Sequence, residues 1–402
     1  MNVPKLRFKE FTDKWQKVPL NLFTNIYGGY AFKSENLLNY KAKYQVIKMG
    51  NVNNNTLNLE KNPSYLNTIS QKELPYLLEK NDIILTLTGT FGKKDFGYSY
   101  QIKNETNLLL NQRLAVFKIT NSNYSANFLK YILLNNTFLN KFFRFSVGGT
   151  GNQANVSIQD IKSFKIPFPK LEEQNKIANF LTTVDKKITN LENTIISLEN
   201  QKKGLLQQIF SQKLRFKDKN GNNYPNWEKK KLEDISNITM GQSPDSDFVN
   251  TEKIGTPFLQ GNAEFTNKYP IEKYWCTKPQ KIANPTDILL SVRAPVGAIN
   301  IANKKFCIGR GLSAISFNCN KLFGKYNLKF NLFQLIKKSQ GSTFSSINKK
   351  DISEVILFIP CLEEQTKIAD FLSAFDRKLE NQKAQLEHWK QIKKGLLQQM
   401  FV

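Results

Sequence analysis

Apolar side chains along residues 171–210 recur in alternating steps of four and three. They fall at Ile177, Leu181, Val184, Ile188, Leu191, Ile195 and Leu198, then at Leu205 and Ile209 after one gap. A mean step of about 3.5 residues predicts one long helix whose apolar seam packs on a partner helix. Residues 362–401 carry the same pattern at Ile368, Leu372, Phe375, Leu379, Leu386, Trp389, Leu396 and Met400. The two stretches align without a gap at an offset of 191, with 20 of 40 positions identical. Lys202 and Lys393 interrupt the seam at equivalent places, and Gln382 does so once more. Polar seam residues weaken a coiled coil but pin its register. Each stretch forms a rod about 60 Å long. A generic helical hairpin is the plainer alternative.

Ahead of each rod the pattern is shorter. Ile83-Ile84-Leu85-Thr86 and Ile288-Leu289-Leu290-Ser291 read as short strands reached through the polar turns Asn81-Asp82 and Thr286-Asp287. Gly92 and Gly297 follow at equal distance and mark turns. Gln112-Arg113-Leu114-Ala115-Val116 then matches Arg310-Gly311-Leu312-Ser313-Ala314, and an aromatic helical patch follows each. Both regions close on a Gly-rich polar loop, 148–155 or 340–346, then a short strand ending at Pro169 or Pro360. Upstream, Lys5-Leu6-Arg7-Phe8 echoes Lys213-Leu214-Arg215-Phe216, Trp15 echoes Trp227, and Gly29 echoes Gly241.

The expected boundaries are a first domain at 1–169, a rod at 170–211, a second domain at 212–360 and a second rod at 361–402. The expected fold class is α+β: two mixed α/β globular domains separated by two long helices pairing as an antiparallel coiled coil, with a pseudo-two-fold internal repeat. The antiparallel pairing follows from repeat order. The first rod delivers the chain to the second domain; if that domain begins and ends at one place, the second rod runs back. One domain would then sit at each end.

Charge sharpens this picture. The formal net charge is +25 and the pI about 9.7. The rods are close to neutral, with five Lys against five acids in 171–210 and seven Lys/Arg against six acids in 362–401. The excess therefore lies in the globular parts and points to a polyanion, either nucleic acid or an acidic membrane surface. An AT-rich coding bias toward Lys, Asn and Ile is the compositional alternative, but it would have loaded the rods as well. The four cysteines lack CxxC spacing and the one histidine, His388, lies on a rod. That argues against a disulfide framework or a zinc finger. No apolar run approaches 18 residues and the stretch MNVPKLRFKE lacks a signal-peptide core, so a cytoplasmic protein is expected.

Catalytic patterns do not assemble. There is no GxxxxGK[ST] phosphate loop and no HExxH. No strand leads into a Gly-rich turn with an acid about twenty residues on, as a dinucleotide or methyl-donor site needs. Asn284-Pro285-Thr286-Asp287 does not match the Asn-Pro-Pro-aromatic signature of amino-directed DNA methyltransferases. Glu172 and Glu173 open a helix, where they complement its dipole. Asp245 and Asp247 fit a plain turn better than a metal site.

The paired LEEQxKIAxFL…KGLLQQ(I/M)F helices, the doubled KLRF lead-in and the two divergent domains between them resemble the specificity subunit of type I restriction–modification systems. The resemblance covers essentially the whole chain. It implies two target-recognition domains, each reading one half of a bipartite, asymmetric double-stranded DNA site, and two helices that set the gap between the halves. It implies no catalysis by this chain. It also implies two methyltransferase subunits that use S-adenosylmethionine to methylate adenine, and restriction–translocase subunits that use ATP and Mg²⁺; no cofactor is expected in this chain itself. Half-sites read from one face of DNA lie roughly a helical turn apart, about 34 Å. A coiled-coil scaffold and a nucleic-acid enzyme with an unrecognised motif remain as alternatives.

Candidate DNA contacts follow. Asn152, Gln153 and Asn155 in the first Gly-rich loop can pair bidentately with adenine, and Gln340, Ser342 and Thr343 are their counterparts in the second. A structural turn is the competing reading for both loops. Lys93 and Lys94 follow Gly92 in a turn and suit phosphate. Arg293 and Arg310 sit in short loops and suit guanine or phosphate, or an internal salt bridge. Tyr98 and Tyr100 stack on bases or pack inside, packing being favoured. For partner docking the candidates are Lys203, Gly204 and Leu205, with Lys394, Gly395 and Leu396. Glycine inside a helix costs about 1 kcal/mol, so its repeated use suggests close approach of the other rod or of a partner.

Overall fold

A computed structural model describes residues 3–148, 152–266, 269–340 and 346–402. The chain divides into two compact units, Met1–Glu192 with Gln385–Val402, and Asn193–Ala384. The long helices run Leu171–Phe210 and Leu362–Gln399. Each unit therefore takes the start of one long helix and the tail of the other. No helix among the described residues is long and apolar enough to cross a membrane.

Both units hold a four-stranded antiparallel sheet of the same order. In the first it is Thr24–Gly28, Leu114–Ile119, Ile83–Thr86, Ser99–Gln101. In the second it is Ser236–Met240, Leu312–Phe317, Ile288–Ser291, Ile299–Ile301. The central strands are buried along most of their length, Ser313 at 0% exposure included, because both faces are covered. Side chains alternate across a strand, so Ile83, Leu85, Ala115 and Phe117 join the main core with Phe128, Ile177 and Leu181. Ile84, Leu114 and Val116 enter a second cluster with Ile47 and Leu108. The second unit sorts Ile288, Leu290, Ile315 and Phe317 from Leu289, Leu312 and Ala314 in the same way. The predicted polar turns are present. Asn81 and Thr286 take φ of 74° and 76°, and the carboxylates of Asp82 and Asp287 accept the N–H of Glu79 and Asn284, each at 2.8 Å.

A two-stranded antiparallel ribbon closes each unit, Gln16–Pro19 with Lys165–Phe168 and Glu228–Lys231 with Ile356–Ile359. The chain thus begins and leaves each head side by side, the condition on which the antiparallel rods depended.

The lead-in segments then lock to the helix starts. Arg7 donates from Nε and Nη2 to the two carboxylate oxygens of Glu173 at 2.7 Å each, and Trp15 Nε1 donates to Glu173 Oε1 at 3.3 Å. Arg215 grips Glu364 at 2.8 Å through both nitrogens, with Trp227 Nε1 at 3.0 Å. Glu173 and Glu364 are 2% and 0% exposed, so the second Glu of each pair, in the first helical turn as expected, is also a buried anchor. Glu172 remains exposed at the helix start. The next residue ties down the loop before it: Gln174 Nε2 donates to Pro169 O and Gln365 Nε2 to Pro360 O, both at 2.9 Å.

Within each unit the two helix segments run antiparallel. In the first, Lys390 faces Glu192 and Lys393 faces Asp185, at 2.8 and 2.7 Å. In the second, Lys383 faces Glu199 at 2.6 Å and Lys202 pairs with Asp376. As one partner's number falls the other's rises. The two lysines that break the apolar seam each meet an aspartate, and each aspartate also receives a tyrosine from the head. Tyr131 donates to Asp185 at 2.8 Å and Tyr326 to Asp376 at 2.6 Å. Burial pushes the Asp185 carboxyl up, but Lys393 and Lys130 outweigh it and hold it below the usual range. Asp376 is held low against its burial by Lys202 and Tyr326.

The helix tails end in the heads. Phe401 packs on Phe128 and Trp15, and Phe210 on Phe323 and Trp227. Leu6 N–H bonds to Gln399 O at 2.9 Å, and Leu214 N–H to Gln208 O at 3.0 Å. For Gly204 and Gly395 the sequence left two alternatives, approach of the other rod or of a partner, and the first does not apply. A Cβ at either would meet nothing within 4 Å, so neither marks a close approach of the two long helices.

Candidate nucleic-acid interface

The strand Ile83–Thr86 runs on through Leu87 into Thr88–Thr90, which leaves the main sheet and joins a small one of order Val147–Gly148, Gln153–Asn155, Thr88–Thr90. Gln153 lies opposite Thr90 and Asn155 opposite Thr88. Period-two alternation buries Ala154 in the main core and leaves Gln153 and Asn155 exposed. Asn152 takes φ of 62°, a conformation asparagine tolerates, and its carbonyl accepts the Phe91 N–H at 2.9 Å. Beyond Phe91 the chain turns at Gly92, φ 74°. Asp95 fastens the turn by accepting from Thr90 N and Oγ1 at 2.8 and 2.7 Å. Those bonds hold its carboxyl below the usual range. Lys93 and Lys94 ride exposed on this turn. Lys93, Lys94, Asn152, Gln153 and Asn155 thus belong to one small sheet and its turn. Phe91 and Val147, 56% and 69% exposed, belong to it as well. Such a surface offers cations for phosphate, amides for base edges and apolar groups for a thymine methyl.

Among the described residues the second unit repeats one pair of this ladder. Arg293 bridges Ser346, the position equivalent to Asn155 opposite Thr88. Ile347 N–H bonds to Val292 O at 3.0 Å. Arg310 lies in a neighbouring loop, its N–H 3.2 Å from Ser243 Oγ. The next peptide, Gly311, accepts from Val292 N at 3.0 Å. Arg293 and Arg310 therefore flank one peptide from two sides, and both are exposed. Gln340 ends the helix Phe333–Gln340. Ser342 and Thr343 lie outside the described residues.

The remaining candidates lie elsewhere. Lys203 and Lys394 are exposed on the long helices, with Gly204, Leu205, Gly395 and Leu396 half-buried beside them. Leu396 packs against the first unit's main core. Tyr100 packs against the second cluster and donates to Glu105 at 2.6 Å, and Tyr98 packs beside it. Asp245 precedes the short turn Ser246–Phe248. Among the described residues no three His, Cys, Asp or Glu side chains are grouped to hold a metal. Sequence reasoning passed over Arg113, which is exposed at φ 71°; its alignment beside Arg310 was the available signal. It also missed that Arg7 and Arg215 anchor helices 166 and 149 residues away.

Comparison with known proteins agrees with this architecture. The type I restriction modification DNA specificity domain matches twice, over residues 12–200 and 224–388. A putative type I restriction enzyme specificity subunit, MjaX, of Methanocaldococcus jannaschii is 31% identical over 408 residues, covering 98% of this chain and 95% of that protein. The MjaVIII specificity subunit of the same organism is 25% identical over 82% of this chain and 80% of its own length. Among solved structures, the type I restriction-modification S subunit from M. genitalium aligns with TM-score 0.64 at 18% identity, covering 100% of this chain and 99% of its own. A chain solved in work on complex assembly and conformational transition of the type I R-M system aligns with TM-score 0.60 at 24% identity, covering 95% and 96%. These two show a shared fold. With two copies of the domain, each joined to a long helix, the chain belongs to the type I restriction–modification DNA specificity family and is a DNA sequence-recognition subunit.

Proposed function

We propose that this chain is the non-catalytic specificity subunit of a type I restriction–modification complex, and that each unit reads one half of a bipartite, asymmetric DNA site. Two methyltransferase subunits bind it and methylate adenine with S-adenosylmethionine. Restriction–translocase subunits join them and use ATP and Mg²⁺. The chain itself supplies recognition and spacing. The observation that carries this reading is the sheet-and-turn surface of Lys93, Lys94, Asn152, Gln153 and Asn155 and its altered repeat at Arg293 and Ser346. Two like scaffolds with unlike exposed loops suit a site of two unlike halves. The stretches Lys203-Gly204-Leu205 and Lys394-Gly395-Leu396, each with an exposed lysine beside half-buried residues, are the surfaces assigned to the methyltransferase subunits.

The test is a spacing experiment. One heptad is inserted after Glu192 and a second after Ala384, where each helix passes from one unit to the other. Seven residues add about 10 Å of helix, or about three base pairs of DNA at 3.4 Å each. Mapping methylated adenines in cells with the partner subunits should return the same half-sites across a longer gap. Altered half-site bases at constant spacing would refute the reading.

A further inference from the structure

The chain holds 51 lysines and only 7 arginines, so where arginine stands is informative. Arg7 and Arg215 form the buried forks with Glu173 and Glu364. Arg377 donates to Ser373 on the second long helix, and Arg144, exposed at the end of a head helix, has no ion pair or side-chain hydrogen bond among the described residues. The other three, Arg113, Arg293 and Arg310, are exposed. None of them has an ion pair or a side-chain hydrogen bond among the described residues.

Each lies beside the equivalent piece of backbone in its own unit. In the first unit Gly29 N–H bonds to Leu114 O, Gln112 N–H to Tyr30 O and Leu87 N–H to Arg113 O, at 3.0, 2.9 and 3.0 Å. In the second, Gly241 N–H bonds to Leu312 O and Val292 N–H to Gly311 O, at 2.9 and 3.0 Å. Glycine is required at the crossing. A Cβ on Gly29 would stand 2.1 Å from Asn111 O, and one on Gly241 2.1 Å from Gly309 O. In this shared frame Gln112 matches Arg310 and Arg113 matches Gly311, so each unit sets one arginine in the loop at adjacent positions. Leu87 and Val292 lead directly into Thr88 and Arg293, the residues that meet the candidate interface loops.

Arg113 holds φ at 71°, a region unfavourable for a residue with a Cβ. The equivalent Gly311 does not share this positive φ; glycine stands there because a Cβ would lie 2.6 Å from Gln260 O. The Arg113 side chain has no ion pair or hydrogen bond among the described residues, so the strain is retained for a group that acts outward. Lysine satisfies phosphate, and the chain uses lysine almost everywhere else. A planar two-pronged donor is what guanine O6 and N7 require.

We propose that Arg113 is a base-reading residue of the first unit, donating to guanine in the major groove, and that Arg310 with Arg293 does the same for the second. This rests on the function proposed above. The test maps methylation by the assembled complex carrying Arg113→Gly, Arg113→Lys or Arg310→Ala. Arg113→Gly relieves the positive φ, so its fold is at least as stable as the parent and misfolding cannot explain its phenotype. Expected is loss of one guanine requirement in one half-site with both Arg113 variants, about tenfold to a hundredfold in discrimination, with the gap and the other half-site unchanged. Arg310→Ala should relax the other half-site. Uniformly weaker methylation with every base still required, and a shallower salt dependence, would identify a phosphate contact and overturn the proposal. Unchanged specificity, or a half-site without a G·C pair, overturns it as well. A parent complex with no two-part site would instead remove the underlying function, and this proposal with it.

Discussion

At the base of the first unit Arg7, Trp15 and Glu173 form a fork, and at the base of the second Arg215, Trp227 and Glu364 repeat it. Along the long helices Asp185, Lys393 and Tyr131 are matched by Asp376, Lys202 and Tyr326. The loops beyond the main sheet are not matched so closely. Thr88 pairs with Asn155 in the first unit, and at the same place in the second Arg293 pairs with Ser346, so the frame is kept while the residues on it differ. The difference separates two kinds of constraint. Residues buried against a long helix must satisfy charge, hydrogen bonds and packing together, which leaves little room for change. Residues on exposed turns satisfy only their own backbone, so recognition can diverge while the frame stays fixed.

The largest expected effect is at the forks. Glu173→Gln or Glu364→Gln leaves a guanidinium without its counter-charge and should cost about 3–5 kcal/mol, read by urea unfolding. A loss below about 1 kcal/mol at either would break the comparison there. Next come the aspartate clusters. Lys202→Leu and Asp376→Leu should each destabilise alone, and together recover part of the loss, with a coupling of about 1–3 kcal/mol. Lys393→Leu with Asp185→Leu should give a coupling of similar size. Both aspartates are held below the usual range, so their contribution is full above the ordinary aspartate value of about 3.9. It is lost as pH falls through the lower folded values. Repeating either cycle in acid should shrink the coupling. The smallest effect is expected at Gly204→Ala and Gly395→Ala, whose Cβ atoms enter open space. Each should stabilise the chain by up to about 1 kcal/mol. Weaker assembly with the methyltransferase subunits, measured by co-purification, would then sharpen their assignment as docking points, and unaltered assembly would remove it.

The helices were legible because a 3.5-residue spacing has few other solutions, and the strands because their apolar runs sit between turn residues. The repeated KLRF and Trp were visible as a repeat, but their purpose was not. Arg7 meets Glu173 only after the whole head has folded between them, and local sequence carries no sign of that. The same holds for Lys202 and Lys393, whose place in the seam was readable while their aspartates were not. In the candidate interface the loops were found through glycine and amide content. Their partners, Thr88–Thr90 and the loop bearing Arg113, join them only through pairing across the fold.

The division of the helices between units also orders events as the polypeptide emerges. The second unit is one unbroken stretch, Asn193–Ala384, whereas the first needs Met400 and Phe401 in its core. Domains commonly mature from the N-terminal side during synthesis, but here the earlier head stays unfinished until residues made after the later head arrive. A released chain ending at residue 384 would hold every residue of the second unit and a first unit still lacking the aromatic plug beside Trp15.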